Sequence, residues 1–221
     1  VQLQSDITSP FPPLDLMVHI GEISAASFND TIPAKEVWRV SEDGELRDPF
    51  KKLTTVFQMS EEMFFLHYGK DGCNRHVLID ECRELFGEIY EQIPELPFCN
   101  IWTAMQLSSR LPKGALFHMG VSNTRRCWNM FQLPESVESA CNVGCCGIDG
   151  CVSTLVGASL VNPDRLCYVV VGDLTFFYDL NSLGNHHIGT NLRVMLVNNG
   201  RGTEFRLGIH HCNVFGDDAD K

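Results

Sequence analysis

Two short segments of this sequence carry residues able to hold a charged ligand. Gly172-Asp173-Leu174 closes one apolar run, and Asn198-Asn199-Gly200 closes the next, with one helical stretch between them. An Asp carboxylate and an Asn amide oxygen are hard donors. Placed at one rim they suit Mg2+ or Ca2+, with backbone carbonyl, water and phosphate oxygens completing the shell. Gly172 lets the backbone approach a phosphate, and the helix start after it offers free N–H groups. A capping Asp and an Asn-Gly turn would account for either half alone. Their pairing across one strand–helix–strand unit is what points to a metal–phosphate site.

For the two halves to meet, the strands carrying them must be neighbours. Residues 166–171 and 192–197 read as buried strands, as do residues 115–119, which run into the turn Gly120-Val121-Ser122-Asn123 at a helix start. Residues 98–111, 147–161 and 176–187 read as helices. Strands that are apolar throughout, alternating with helices, predict an α/β fold: a parallel sheet with helices on both faces. Ligands bind such sheets at the carboxyl ends of the strands, where Ser122, Asp173, Asn198 and Asn199 fall. Upstream, Val77, Leu78, Cys82, Leu85, Phe86, Ile89, Tyr90 and Ile93 follow helical spacing, so residues 71–96 read as one helix. Asp80, Glu81, Glu84, Glu88 and Glu91 make its solvated face, and Pro94 and Pro97 stop it. Residues 1–70 show strand-like runs at 16–20, 36–40 and 54–57, a turn at Ser41-Glu42-Asp43-Gly44, and few helical periods. They read as the tail of a β-α-β layer.

Composition narrows the function classes. Among 221 residues, 28 Asp and Glu stand against 17 Lys and Arg, a net charge of −11. That balance disfavours duplex nucleic acid, whose phosphates need a cationic face, and anionic membrane. No apolar run nears the roughly 20 residues of a membrane span. Ten cysteines in a chain of this length without a secretory leader predict a reducing, cytoplasmic setting. The cluster Cys141, Cys145, Cys146 and Cys151 contains no CxxC pair of the kind structural zinc uses, and reads as small packed residues in a glycine-rich loop.

The paired motif resembles the diphosphate-binding motif of thiamine-diphosphate enzymes. The stretches GVSNTRR, GIDGCVSTLVGAS, VVGDLTFFYDLNSL and VNNGRGTEF are similar to one branch of that family. These are the menaquinone-pathway synthases that make 2-succinyl-5-enolpyruvyl-6-hydroxy-3-cyclohexene-1-carboxylate. Leu174 in place of a third glycine, followed by FFYDLN, is typical of that branch. The resemblance implies residues 1–70 as the end of a central domain, 71–97 as a linker helix, and 98–221 as a diphosphate-binding domain short of its C-terminal part. It implies thiamine diphosphate and Mg2+ as cofactors, a 2-oxo acid and an acceptor as substrates, and a homodimer or higher oligomer of the full-length enzyme. By the same resemblance Asp173, Asn199 and the Arg201 carbonyl hold the metal. Gly172, Leu174 and Thr175 lie against the diphosphate, and Gly147 and Ser122 line the cofactor. Ile148 is the apolar wedge beneath it, for which a core helix position is the plain alternative. Ser122 and Arg126 stand on the substrate side, where an Arg can hold a carboxylate in a bidentate way and where an exposed surface Arg is the alternative. Arg125 has no assigned role.

The family's ylid-forming glutamate belongs to a pyrimidine-binding domain that has no counterpart here, so no catalytic residue is assigned, and the expectation is a fragment of a longer enzyme that is inactive alone. There is one departure. Where those synthases have Asn-Arg-Gly, this chain has Asn142-Val143-Gly144, and Val143 cannot pair a substrate carboxylate. The departure implies a less acidic acceptor or a smaller oxo acid. An acetolactate-synthase-like enzyme, an oxo-acid decarboxylase, or a non-catalytic module retaining the fold are the competing readings.

Overall fold

The computed structural model describes residues 14–21, 34–69, 77–144, 147–206, 208 and 210–220. The chain divides between Ile93 and Pro94 into two compact units.

In the first unit, β1 (Leu14–Ile20), β2 (Ala34–Ser41) and β3 (Leu53–Gln58) form a parallel sheet in that order. Ala34, Val37 and Val40 of the middle strand are buried with Phe64. Arg39 is buried beside them, and its charge is met at the strand ends: it donates to the carbonyls of Gly21 (3.3 Å) and Glu45 (3.2 Å) and pairs with Asp43 at 3.6 Å. The Ser41–Gly44 turn forms as expected, with the Gly44 N–H donating to the Ser41 carbonyl at 3.3 Å. Helix α1 (Glu61–Tyr68) follows β3, capped by Ser60, whose hydroxyl accepts from the Met63 N–H at 3.3 Å. Its apolar residues Met63, Phe64, Phe65 and Leu66 run consecutively, so no helical period marks it. Helix α2 (Val77–Glu91) lies inside the stretch read as one helix. The first residues of that stretch are outside the described ones.

The second unit is built on a four-stranded parallel sheet in the order β5-β4-β6-β7. These are β4 (Leu116–Met119), β5 (Glu138–Cys141), β6 (Cys167–Gly172) and β7 (Leu192–Val197). Val169, Val170 and Val171 of β6 have no exposed surface. Helix α3 (Asn100–Leu107) packs on α4 (Asn123–Trp128), whose Trp128 meets Phe117 of β4 at 4.7 Å between ring centroids. Side chains alternate along a strand, so Leu116 points to the other face. There it joins Cys151, Val152, Leu155 and Val156 of α5 (Cys151–Val161). From β4 the chain goes to one side for β5 and returns to the other for β6 and β7. The order therefore reverses at β4, where open α/β sheets bind ligands.

The α/β parallel architecture stands as expected, with corrections at helix ends. The helix read at 98–111 is α3 followed by a 3-10 turn, Ser108–Arg110. The helix read from 147 starts at Cys151, because Gly150 takes φ 85°, a left-handed conformation that stops regular helix and favours glycine. The helix read at 176–187 is instead α6 (Asp173–Tyr178), broken at Asp179, then a 3-10 turn at Leu180–Gly184. The Asp179 carboxylate accepts from the Ser153 N–H at 2.6 Å, so it caps α5 rather than continuing α6. Strand β5 went unread because Glu138-Ser139-Ala140-Cys141 is an exposed edge with no apolar run. Among the described residues no helix is long and apolar enough to cross a membrane.

Candidate functional site

Strands β6 and β7 are neighbours, with Gly172 opposite Val197. That register carries the two halves of the motif off the sheet side by side. Asp173, the first residue of α6, is 6% exposed. Its Oδ1 accepts from the Leu174 N–H at 2.8 Å and its Oδ2 from the Gly200 N–H at 2.6 Å. One carboxylate thus ties the end of β6 to the turn after β7. Gly200 sits at φ 64°, which lets the turn present its N–H to Asp173. Asn199 is exposed, and its Oδ1 accepts from the Arg201 N–H at 3.1 Å, an Asx turn. Arg201 pairs with buried Asp220 at 3.5 Å.

Each carboxylate oxygen has two lone pairs, so Asp173 keeps acceptor capacity beyond its two backbone bonds. A side chain at Gly172 would meet nothing within 4 Å, so space is open in front of this backbone. Thr175 is buried behind it and Leu174 is exposed. One carboxylate, one amide and one backbone carbonyl would fill roughly half of an octahedral Mg2+ shell, leaving the rest to phosphate and water. That donor set fits a cation held jointly with a diphosphate. Among the described residues no group of three or more His, Cys, Asp or Glu could hold a metal by itself.

The β4 end brings Ser122 and Arg126 together. Ser122 has φ 67° and ψ −128°, a strained conformation for a residue with a side chain, of the kind found at binding sites. Its hydroxyl donates to the Glu204 carboxylate. Arg126, one turn along α4, donates from Nη1 to Oε2 of Glu204 at 2.6 Å and from Nη2 to Oε1 at 3.2 Å. Asn123 donates to Thr203 Oγ1 at 2.8 Å. Burial pushes the Glu204 carboxyl upward, but hydrogen bonds from Arg126 and Ser122 outweigh it and hold the group below the usual glutamate value. Arg126 is therefore paired and not a free surface arginine. Sequence reasoning missed Glu204: it is far away in the chain, and only its place after the Asn-Asn-Gly turn hinted at it.

The glycine-rich loop before α5 is organised by another residue not singled out. The Asn142 amide donates to the Gly150 carbonyl at 3.2 Å and to Thr154 Oγ1 at 3.0 Å. At Gly147 a side chain would come within 2.6 Å of an Asp149 carboxylate oxygen, which is exposed and would have to move aside. Ile148 is half-buried in this loop and outside any helix, so its core-helix alternative falls. Val143 lies in the same loop, half-buried, with its N–H donating to the Cys141 carbonyl at 2.9 Å. Of the cysteine cluster, Cys151 is buried at the start of α5, where burial pushes its thiol pKa up, and Cys141 is half-buried in β5. Cys145 and Cys146 lie outside the described residues. Two open grooves, of about 480 and 530 Å³, are lined by other residues than these.

His118 of β4 underlies the loop. It is 3% exposed, its Nε2 has no partner, and burial lowers its pKa despite a hydrogen bond with Asn142. A histidine whose folded pKa is depressed stabilises the fold in its neutral form. That stability is whole above the unfolded value and is lost as pH falls through the folded one. Melting temperature should therefore drop between about pH 8 and about pH 5 more steeply for the natural chain than for His118→Gln. Equal slopes would exclude His118 as the source.

The comparisons agree with the motif. No family model matches the chain. Among curated proteins it is similar to the 2-succinyl-5-enolpyruvyl-6-hydroxy-3-cyclohexene-1-carboxylate synthases of Bacteroides fragilis, 38% identical over 179 residues, and Bacteroides thetaiotaomicron, 37% identical over 175. Each match covers 78% of this chain and 31% of the relative. The synthase of Christiangramia forsetii is 38% identical over 117 residues, covering 53% of this chain and 20% of the relative. The chain spans about a third of the length of the first of these relatives, 31%.

Proposed function

From the homology of this chain, over 78% of its length, to synthases of the thiamine-diphosphate-dependent family, we propose that it is the thiamine diphosphate- and Mg2+-binding portion of a 2-oxo-acid decarboxylating carboligase. In this reading residues 1–70 end a central domain, 71–97 link, and 98–221 belong to the diphosphate-binding domain of a cytoplasmic enzyme that works as a dimer or larger. The observation that carries it is the Asp173 carboxylate accepting from the Gly200 N–H at 2.6 Å, which ties together the turns that follow β6 and β7 at the carboxyl end of the sheet.

Asp173, Asn199 and the Arg201 carbonyl hold Mg2+, and Gly172, Leu174 and Thr175 line the diphosphate. Gly147 and Ile148 border the cofactor from the loop before α5, and Ser122 and Arg126 orient the substrate carboxylate. When bound, thiamine diphosphate supplies the carbanion chemistry by which a 2-oxo acid loses CO2 and its remainder passes to an acceptor. The chain's own contribution is to fix charge and orientation: Asp173 offers a buried negative charge to the cation, and Arg126 a planar two-donor fork to a carboxylate. Val143 supplies no second fork.

Calorimetry of the 221-residue chain tests this. Thiamine diphosphate and Mg2+ should each tighten the other's binding, as reciprocal linkage requires, and Asn199→Ala should weaken that coupling. The chain alone should show no 2-oxo-acid decarboxylation. Undiminished coupling in folded Asn199→Ala, or turnover by the chain that Asp173→Ala abolishes, would overturn the assignment.

A further inference from the structure

We propose that Glu204 is a tethered occupant of the anion seat formed by Ser122 and Arg126, and that it decides which ligands the seat accepts: a free carboxylate enters only by displacing it. The inference rests on the reading of those two residues as substrate-side groups, and it assigns a role to a residue that this reading leaves without one.

Three donors converge on this one carboxylate. Arg126 meets both oxygens through Nη1 and Nη2, at 2.6 and 3.2 Å, and the Ser122 hydroxyl adds a third bond to Oε2. A planar fork with a hydroxyl beside it is the arrangement that recognises a carboxylate of any origin. Here the carboxylate comes from the chain, 78 residues from Arg126 in sequence. Its carrier, the 3-10 turn Thr203–Arg206, is fastened to α4 by the Asn123–Thr203 bond at 2.8 Å, and Gly202 just before it donates to the Asp220 carbonyl at 3.3 Å.

Two further features separate a removable occupant from a structural ion pair. The side chains are 24% and 37% exposed for Arg126 and Glu204, so a solute can reach the pair. The hydroxyl in the seat belongs to Ser122, held at φ 67°, a strained conformation of the kind kept at functional sites. A tethered group competes at an effective concentration in about the millimolar range. With Glu204 in place the seat therefore excludes weak free carboxylates. It carries no uncompensated positive charge, and it favours a neutral hydrogen-bonding group or a ligand whose other contacts offset the displacement.

The test titrates glutarate, with dimethyl glutarate as the uncharged control, into the chain without thiamine diphosphate or Mg2+. Glu204→Ala and Glu204→Gln should each bind glutarate about tenfold or more tightly than the natural chain. Dimethyl glutarate should show no such gain, and adding Arg126→Ala to either variant should erase it. If Glu204→Ala does not fold, Glu204→Gln, which keeps the volume and one acceptor oxygen, carries the comparison. Equal glutarate affinity in natural chain and variant, or a gain that survives Arg126→Ala, would overturn the inference. Because no cofactor is present, that failure is distinct from a failure of the cofactor reading, which shows as absent thiamine diphosphate–Mg2+ coupling whatever glutarate does.

Discussion

Asp173→Ala is expected to abolish the mutual tightening of thiamine diphosphate and Mg2+, a loss of about 5- to 150-fold in the affinity of each in the presence of the other. The reason is that Asp173 does two jobs with one group. Its charge is the only carboxylate in the proposed metal set, and its oxygens accept the Leu174 and Gly200 N–H groups at 2.8 and 2.6 Å. Removing it leaves those donors without their acceptor at a site 6% exposed, which should also cost stability of about 1–3 kcal/mol. Asp173→Asn separates the two jobs. It keeps the size and one acceptor oxygen, so the fold should suffer less, while the negative charge is gone and coupling should still be lost. Calorimetry and melting of both variants read this directly. Coupling intact in Asp173→Asn would remove Asp173 from the metal set.

The second large effect lies on the other side of the sheet. Trp128→Ala is expected to destabilise the second unit by about 3–5 kcal/mol, the range for truncating a buried large aromatic. Trp128 is 1% exposed and packs against Phe117 at 4.7 Å. It ends α4, whose first turn begins at Asn123 beside Ser122 and whose Arg126 forms the seat for Glu204. A cavity under the last residue of so short a helix should loosen the seat as well. The indole Nε1 is buried with no hydrogen-bond partner, so Trp128→Phe discards an unpaired donor while keeping a ring. Its cost should be smaller than that of Trp128→Ala, because only part of the ring volume is lost. Denaturant unfolding of the two variants decides it. A loss in Trp128→Phe as large as in Trp128→Ala would mean that ring packing against Phe117 is not what Trp128 contributes.

Much of the second unit was legible because the inner strands β4 and β6 are largely buried and therefore read as unbroken apolar runs, whereas β7, read as a buried strand, is an edge with Arg193 and Leu196 exposed. The 192–197 strand coincides with β7, and the polar residues singled out fell just past the carboxyl ends of their strands. Helix ends were less legible. Asp179 looked like one more helical residue until it proved to cap α5 through Ser153, a contact between segments that no local pattern encodes. Strand β5 and helix α1 escaped for the opposite reason: one has no apolar alternation and the other no helical period, and their neighbours in space hold them in place.

The candidate site divides the same way. Residue types and spacing alone determined the chemistry on offer: a carboxylate and an amide after successive strands, a glycine at the phosphate side, an arginine one turn after a serine. They also determined the parallel α/β class, because only a sheet covered on both faces buries such strands. Tertiary structure decided how those groups are used. The β6–β7 register turned two separate turns into one linked site through Asp173 and Gly200. The reversal of strand order at β4 placed Ser122 and Arg126 beside a segment 78 residues away, and so gave Arg126 a carboxylate partner in Glu204. Pairings of that kind depend on where folding brings distant chain segments. They follow from sheet order and packing, not from anything written within a few residues of either partner.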